Sequence, residues 1–316
     1  MTLRRSRLLA LLFTIAVVLL PLALKNEEHA YFVALAGIWT IFAVGFDFAF
    51  GVAGLLSFGH AAVFGIGGYV VALLTIKTGM PFFAALGLAA VAGALLALVF
   101  SAISLRATGI FFAIFTLILA QLLYLLLGVK LSGLTGGVDG LPGVPRPGLP
   151  GIDLSNNWNF AVLVMVLAAA LLWLSYLLRA SPFGQVLSAI RQNKDRARQI
   201  GYGVNHFATA AFMISGAYSA IAGGLNASLI SFIGPEALHW TTSGDVLVAT
   251  LVGGVGTTFG PAIGAVITQG MYAVLSKDSY AAQVIFGAIL IFFSMFLPTG
   301  IWGFVRARAA AWRAGR

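Results

Sequence analysis

The chain is a succession of long apolar stretches separated by short polar or glycine-rich connections. Nearly uncharged stretches occupy 8–24, 31–50, 54–76, 82–105, 109–129, 160–178, 207–232 and 281–301. At about 1.5 Å of rise per residue, a helix of some 20 residues crosses a hydrocarbon core of about 30 Å, and none of these stretches alternates with the period of a barrel strand. The predicted fold is therefore all-α, a polytopic integral membrane protein with about eight full spans. A ninth apolar region, 246–275, carries the run GGVGTTFGP from Gly253, whose glycines and proline disfavour one continuous helix.

Charge assigns sides to this pattern. The segment from Arg179 to His206 holds five of the 18 basic residues and one acid between two apolar runs. Such a segment belongs in water, and its excess of Arg and Lys places it in the cytoplasm. With the N-terminus inside, six crossings return the chain to the cytoplasm at Arg179, and the seventh leaves it near Phe232. The C-terminal RARAAAWRAGR also belongs inside, so the region 246–275 has to cross an even number of times. Two broken or re-entrant half-helices meeting near Gly253 to Pro261 satisfy that parity, provided protein or a water-filled path covers the freed backbone groups.

On this topology both termini are cytoplasmic, and the two tails, Arg106 and the basic segment hold 13 of the 18 basic residues. Arg4, Arg5 and Arg7 precede the first apolar run as in a signal peptide, but no small-x-small site closes it, so it is read as an uncleaved span. The chain, 1–316, is read as one transmembrane domain. Residues 130–159 form an external Gly/Pro-rich loop without regular structure, and 179–206 form a cytoplasmic loop.

Composition agrees and narrows the chemistry. Sixty per cent hydrophobic residues, 9% charged residues and a mean hydropathy of +1.02 exclude a soluble domain. The net charge of +9 is accounted for by topology, so no nucleic-acid partner is expected. Cysteine is absent, and His29, His60, His206 and His239 lie far apart without an HExxH pair, so neither a metal nor another cofactor is expected. There is no GxxxxGK[ST] phosphate loop and no paired catalytic constellation, which predicts a non-enzyme without an ATP site of its own.

Two groups of residues carry candidate function. In the basic segment, Ser181 and Pro182 are suited to start a helix and Gly201 to stop it. Between them Val186, Ile190, Asn193, Ala197 and Ile200 recur at helical spacing, opposite Arg191, Lys194, Asp195 and Arg198. One amphipathic helix, Ser181 to Gly201, is predicted along the membrane surface. It serves either as a lever docked on a cytosolic protein or as an interfacial helix touching lipid headgroups. The second group is Asp47, Ser57 and His60 with the break residues Gly253, Gly254, Gly256 and Pro261. Ionisable groups at membrane depth point to a translocation path or to buried hydrogen bonds, and small residues also suit close helix packing. A weak internal similarity links GLLSFGHAAVFGIG from Gly54 with GTTFGPAIGAVI from Gly256, as in proteins built from two related halves. Asp245 is either an ion-binding acid or an acid favoured near a helix N-terminus.

Five collinear segments then resemble one family: GLLSFGHAAVFGIGGY from Gly54, LTGGVDGLPG from Leu134, SPFGQVLSAIRQNKDRARQIGY from Ser181, FMISGAYSAIAGGL from Phe212 and GGVGTTFGPAIGA from Gly253. The chain resembles the LivM-like permease subunit of branched-chain amino acid ABC importers. That resemblance implies ATPase coupling by the basic segment, with Gly184, Asn193, Arg196, Ala197 and Gly201 on the family pattern. It also implies a second, H-type permease subunit, two cytoplasmic ATPase subunits, a periplasmic solute-binding protein and a small-molecule solute, in the lipid bilayer of a bacterial inner membrane. Gln185 departs from the pattern, where a basic residue is usual, as does Val52, where an aromatic is common. The competing class is an ion-gradient-driven secondary transporter or channel, with Asp47 or Asp245 as the coupling residue.

Overall fold

A single helix, α1 (Glu27–Asp47), forms the axis of the molecule in a computed structural model that describes residues 27–107, 109–146, 148, 154–275, 284–285, 287–288, 291 and 300–314. A π-turn, Phe48–Val52, prolongs α1, and 89% of its most apolar window is buried inside the protein. Its sequence explains that position, because AYFVALAGIWTIFAV has no polar face to present to water and its Phe and Trp side chains fill a core. By contrast α4 (Ile110–Leu125), extended by a π-turn at Leu126–Lys130, is as apolar but only 28% buried, with Phe111, Ile118 and Leu122 facing outwards as lipid-exposed residues do.

Around α1 stand α2 (His60–Thr78), α3 (Phe82–Ser104), α6 (Asn157–Ala180) and α9 (Val204–Ile230). With α1 and α4 they make six helices long and apolar enough to cross a membrane among the described residues. Of the eight expected spans, 8–24 lies outside the described residues, and so does most of 281–301. The protein is thus a multi-pass helical membrane protein. Backbone contact between α9 and its neighbours depends on small residues: a Cβ on Gly223 would strike the Phe64 carbonyl, and one on Gly67 would strike Ala220. Such close approach is how helices gain van der Waals contact in lipid, where hydrophobic burial offers no driving force.

The broken region forms two antiparallel half-helices, α10 (Trp240–Gly253) and α11 (Gly260–Leu275), joined by residues 254–259. At about 21 and 24 Å, each is shorter than the roughly 30 Å hydrocarbon core. The hairpin closes tightly because Gly253 lies against the Gly260 carbonyl and Gly264 against the Ala249 carbonyl. A last helix, α12 (Gly300–Ala314), begins in contact with Gly254.

Four expectations need correction. The span expected from Gly54 begins only at His60, because residues 53–59 leave helical geometry. The last turn of α6 includes Arg179, so the polar loop starts two residues later than its charge suggested. Ser181 to Gly201 is not one helix but two, α7 (Pro182–Gln192) and α8 (Lys194–Gln199). Asn193 separates them in an extended conformation, and its side chain accepts a hydrogen bond from Arg196 N at 2.9 Å. An N-cap at that position is incompatible with a continuous helix.

Finally, the Gly/Pro-rich loop is not wholly irregular. It holds a short helix α5 (Ser132–Thr135) and strand β1 (Leu141–Pro142), which pairs antiparallel with β2 (Phe232–Ile233) beyond α9. Arg146 pins this loop by donating to the carbonyls of Ser155 (2.5 Å) and Leu229 (3.2 Å).

Candidate functional site

Both helix breaks, the basic segment and the start of α12 gather at one end of the bundle. Asp47 stands at their meeting point, fully buried where α1 passes into its π-turn. One carboxylate oxygen, Oδ2, accepts from Arg179 Nη2 at 2.7 Å, and the other, Oδ1, accepts from the backbone N–H of Gly256 at 2.8 Å. Arg179 reaches back from α6, donating also to the Thr257 carbonyl at 3.0 Å and to Ser175 Oγ at 3.2 Å. Only 11% of its side chain is exposed. The ion pair therefore has a low-dielectric setting, and each charge depends on the other to offset the cost of leaving water.

The basic segment joins the same cluster. Arg191, on α7, donates to the Gly51 carbonyl; its stem packs against Gly54 and its guanidinium against Gly256. Gly54 (φ +74°) and Gly256 (φ +75°) both occupy the left-handed region, which a Cβ disfavours, so each break turns on a glycine. Gly51 is equally constrained, since a Cβ there would strike Asp47 and the Gly256 nitrogen. Gly253 and Gly254 are buried at the hairpin tip, and Pro261 sits in the first turn of α11, where its missing N–H costs nothing.

The two helices of the basic segment, α7 and α8, are held from within. Ser181 caps α7 through the Gly184 N–H (3.4 Å), and Pro182 opens the helix. Gly184 fits under the Leu178 and Arg179 carbonyls, where any side chain would clash. Ile190, Ala197 and Val204 form a small core of their own. Gln192, Asp195, Arg196, Arg198, Gly201 and Ile200 face outwards, and Ile200, expected on the apolar face, is 66% exposed. Gln185, Ser188, Gln192, Asn193 and Arg196 line a cleft of about 400 Å³ between the two helices.

Ser57 and His60 belong to the first break rather than to the ion pair. Ser57 Oγ accepts from Gly59 N (3.0 Å), an internal turn contact. His60 Nε2 lies 2.7 Å from Ser215 Oγ, whose hydroxyl proton goes to the Gly45 carbonyl at 2.6 Å. With that proton committed, the serine can only accept, so His60 Nε2 is the donor. Phe46 and Phe212 meet the ring edge-on at 4.9 and 5.2 Å. Asp245 accepts from the Tyr272 hydroxyl at 2.7 Å, across the α10–α11 hairpin.

Three contributors went unmarked in the sequence. Thr116 accepts from Phe58 N (3.2 Å), and Ser243 both accepts from Ala61 N and donates to the Phe58 carbonyl, each at 2.8 Å. Arg179 was expected in water. A hydroxyl within a mostly apolar helix was the available signal for Thr116, whereas Ser243, one of several polar residues in the first turns of α10, had none; for Arg179, a cation within reach of an acid at membrane depth was the signal.

This arrangement of broken helices tied to a basic surface segment can be set beside known proteins. Residues 29–294 match the family described as branched-chain amino acid transport system / permease component. The chain belongs to that family. It is 26% identical to the high-affinity branched-chain amino acid transport system permease protein LivM of Salmonella typhimurium, over 84% of this chain and 67% of the relative. Against LivM of Escherichia coli K12 the identity is 25%, over 92% and 74%. The permease protein LivH of Salmonella typhimurium is 24% identical, over 88% and 97%. No solved structure gives a significant match.

Proposed function

We propose that this chain is the membrane permease subunit of an ABC importer for branched-chain amino acids or related small solutes, working in a bacterial inner membrane beside an H-type permease subunit, two cytoplasmic ATPase subunits and a periplasmic solute-binding protein. Family membership supports the class, and relatives of both the LivM and LivH kinds fit a paired permease. One observation carries the mechanism: the Arg191 and Arg179 contacts tie α7 and the end of α6 to Gly51, Asp47 and the tip 254–259.

A displacement of the coupling helices by ATP binding on a partner subunit then moves the tip 254–259, because Arg179 and Asp47 hold that tip from the base of the segment. ATP biases the inward- and outward-facing states to the extent that the docked ATPase contacts differ between them. Asp195, Arg196 and the neighbouring cleft supply the polar surface for that docking. Asp47, with both oxygens engaged, works as the joint of this linkage, while Ser57, His60, Gly253, Gly254 and Pro261 shape the helix ends that flank the path.

The orientation proposed places the break end in the cytoplasm. The basic segment follows α6 and Arg106 follows α3 on that side, and α12, which starts there, carries Arg306 and Arg308, whereas Asp139 and Glu236 lie beyond the opposite helix ends. Uptake of labelled leucine into proteoliposomes holding the assembled importer tests the function. It should require ATP on the coupling-segment side and persist with an uncoupler; uptake that an uncoupler abolishes, or that proceeds without ATP, favours the gradient-driven class and defeats this reading.

A further inference from the structure

A second cleft, of about 400 Å³, lies away from the ion-pair cluster, between α1, α2, α9, α10 and α11 and beneath residues 232–237. Its walls combine two chemistries. Trp39 and Phe64 give a large buried apolar surface, while Glu236, Gln269, Asn226 and Thr242 supply polar groups. Gln269 is the telling member. It is 4% exposed, in a helix packed against α1, and its side-chain amide nitrogen has no hydrogen-bond partner among the described residues. A buried amide donor left unpaired costs on the order of 1–3 kcal/mol, so its natural complement is an acceptor that comes and goes. The buried Tyr69 hydroxyl is also without a partner among the described residues.

The position suits a transport intermediate. Trp39 precedes Asp47 by eight residues, about 12 Å along α1, so the cleft reaches from residues 230–237, at the end opposite the breaks, inward to the middle of α1, the same rigid element that carries the coupling joint. A volume of this size lies within the range of small-ligand pockets, and a few polar groups set in apolar walls are what such pockets present.

We infer that this cleft is a solute-binding site for a small zwitterion with an apolar side chain: Glu236 faces the ammonium group, the Gln269 amide with Asn226 and Thr242 faces the carboxylate, and Trp39 and Phe64 enclose the hydrocarbon. The inference rests on the functional reading above and adds the site to it.

The test uses the complete importer in proteoliposomes, with labelled leucine and with 4-methylpentanoate, the same skeleton without the ammonium. Glu236→Gln and Gln269→Leu should each lower leucine uptake about tenfold, the scale of one charge-assisted hydrogen bond, with ATP hydrolysis by the same vesicles retained. Glu236→Gln should also erase the preference for leucine over 4-methylpentanoate. Should a polar variant fail to reach the membrane, Trp39→Leu decides: a raised phenylalanine-to-leucine uptake ratio supports the site, and an unchanged ratio overturns it. Uptake within twofold of wild type in both polar variants overturns the site and leaves the importer reading standing. No leucine uptake by the wild-type importer overturns both.

Discussion

The two helix breaks resemble each other in sequence and differ in what holds them. At 53–59 and at 254–259 the chain turns on a left-handed glycine and re-enters a helix at a Phe-Gly pair, Phe58-Gly59 and Phe259-Gly260. A hydroxyl two or three residues upstream receives the glycine N–H in each, Ser57 in one and Thr257 in the other. Beyond that the breaks diverge. The first is stitched to α4 and α10 by the neutral hydroxyls of Thr116 and Ser243. The second is held by charge, through Asp47 and Arg179, from helices that are themselves joined to the coupling segment. Neutral short-range contacts hold the first turn, whereas a charge pair at the base of the basic segment holds the second; on the function proposed above, that pair makes the second turn responsive to the segment.

The largest effect that tests this contrast is expected at the ion pair. Asp47→Ala or Arg179→Ala leaves one buried charge uncompensated, a loss of about 3–5 kcal/mol, and should lower both the thermal midpoint and the yield of assembled complex. The double replacement Asp47→Leu with Arg179→Met should recover much of that stability, since it removes both charges together, yet leave uptake uncoupled from ATP hydrolysis. Recovery of coupling along with stability would make the pair a packing device only.

An intermediate effect is expected at the first break. Ser243→Ala frees the Ala61 N–H and the Phe58 carbonyl, costing roughly 1–3 kcal/mol, and should reduce thermal stability while the ATP hydrolysed per solute imported stays near wild type. A changed ratio would erase the proposed distinction between a fixed and a responsive break. The smallest effect is expected at Asp195 and Arg198, which pair at 3.5 Å with both side chains well exposed. Asp195→Ala should leave the thermal midpoint of the permease unchanged, because solvent screens such pairs. Any loss should appear only in co-purification of the ATPase, which reads the docking surface instead.

Much of this was legible before any coordinates. The apolar lengths give the spans, and parity of crossings around the basic segment requires a broken pair at 246–275, found as α10 and α11. The matched Phe-Gly segments were visible as a weak repeat and turn out to occupy equivalent places at two helix breaks. What escaped notice had a local cause. Residues 54–59 are as apolar as the helix after them, so hydropathy carried them into α2, although Gly54 and Gly59 flank the turn. Periodicity ran through Asn193 because an N-cap interrupts a helix without interrupting its spacing.

By itself the sequence determined the class, the approximate limits of the six spanning helices among the described residues and the position of the hairpin break, because each follows from composition and period within one stretch of chain. Only the tertiary structure decided that Arg179 turns inward to Asp47, 132 residues away, that Gly256 completes the same carboxylate, and that Gln269 and Glu236 share a cleft with Trp39. Those pairings depend on which helix faces lie against each other, and in lipid that choice is made by small-residue contacts and buried polar partners spread over the whole chain.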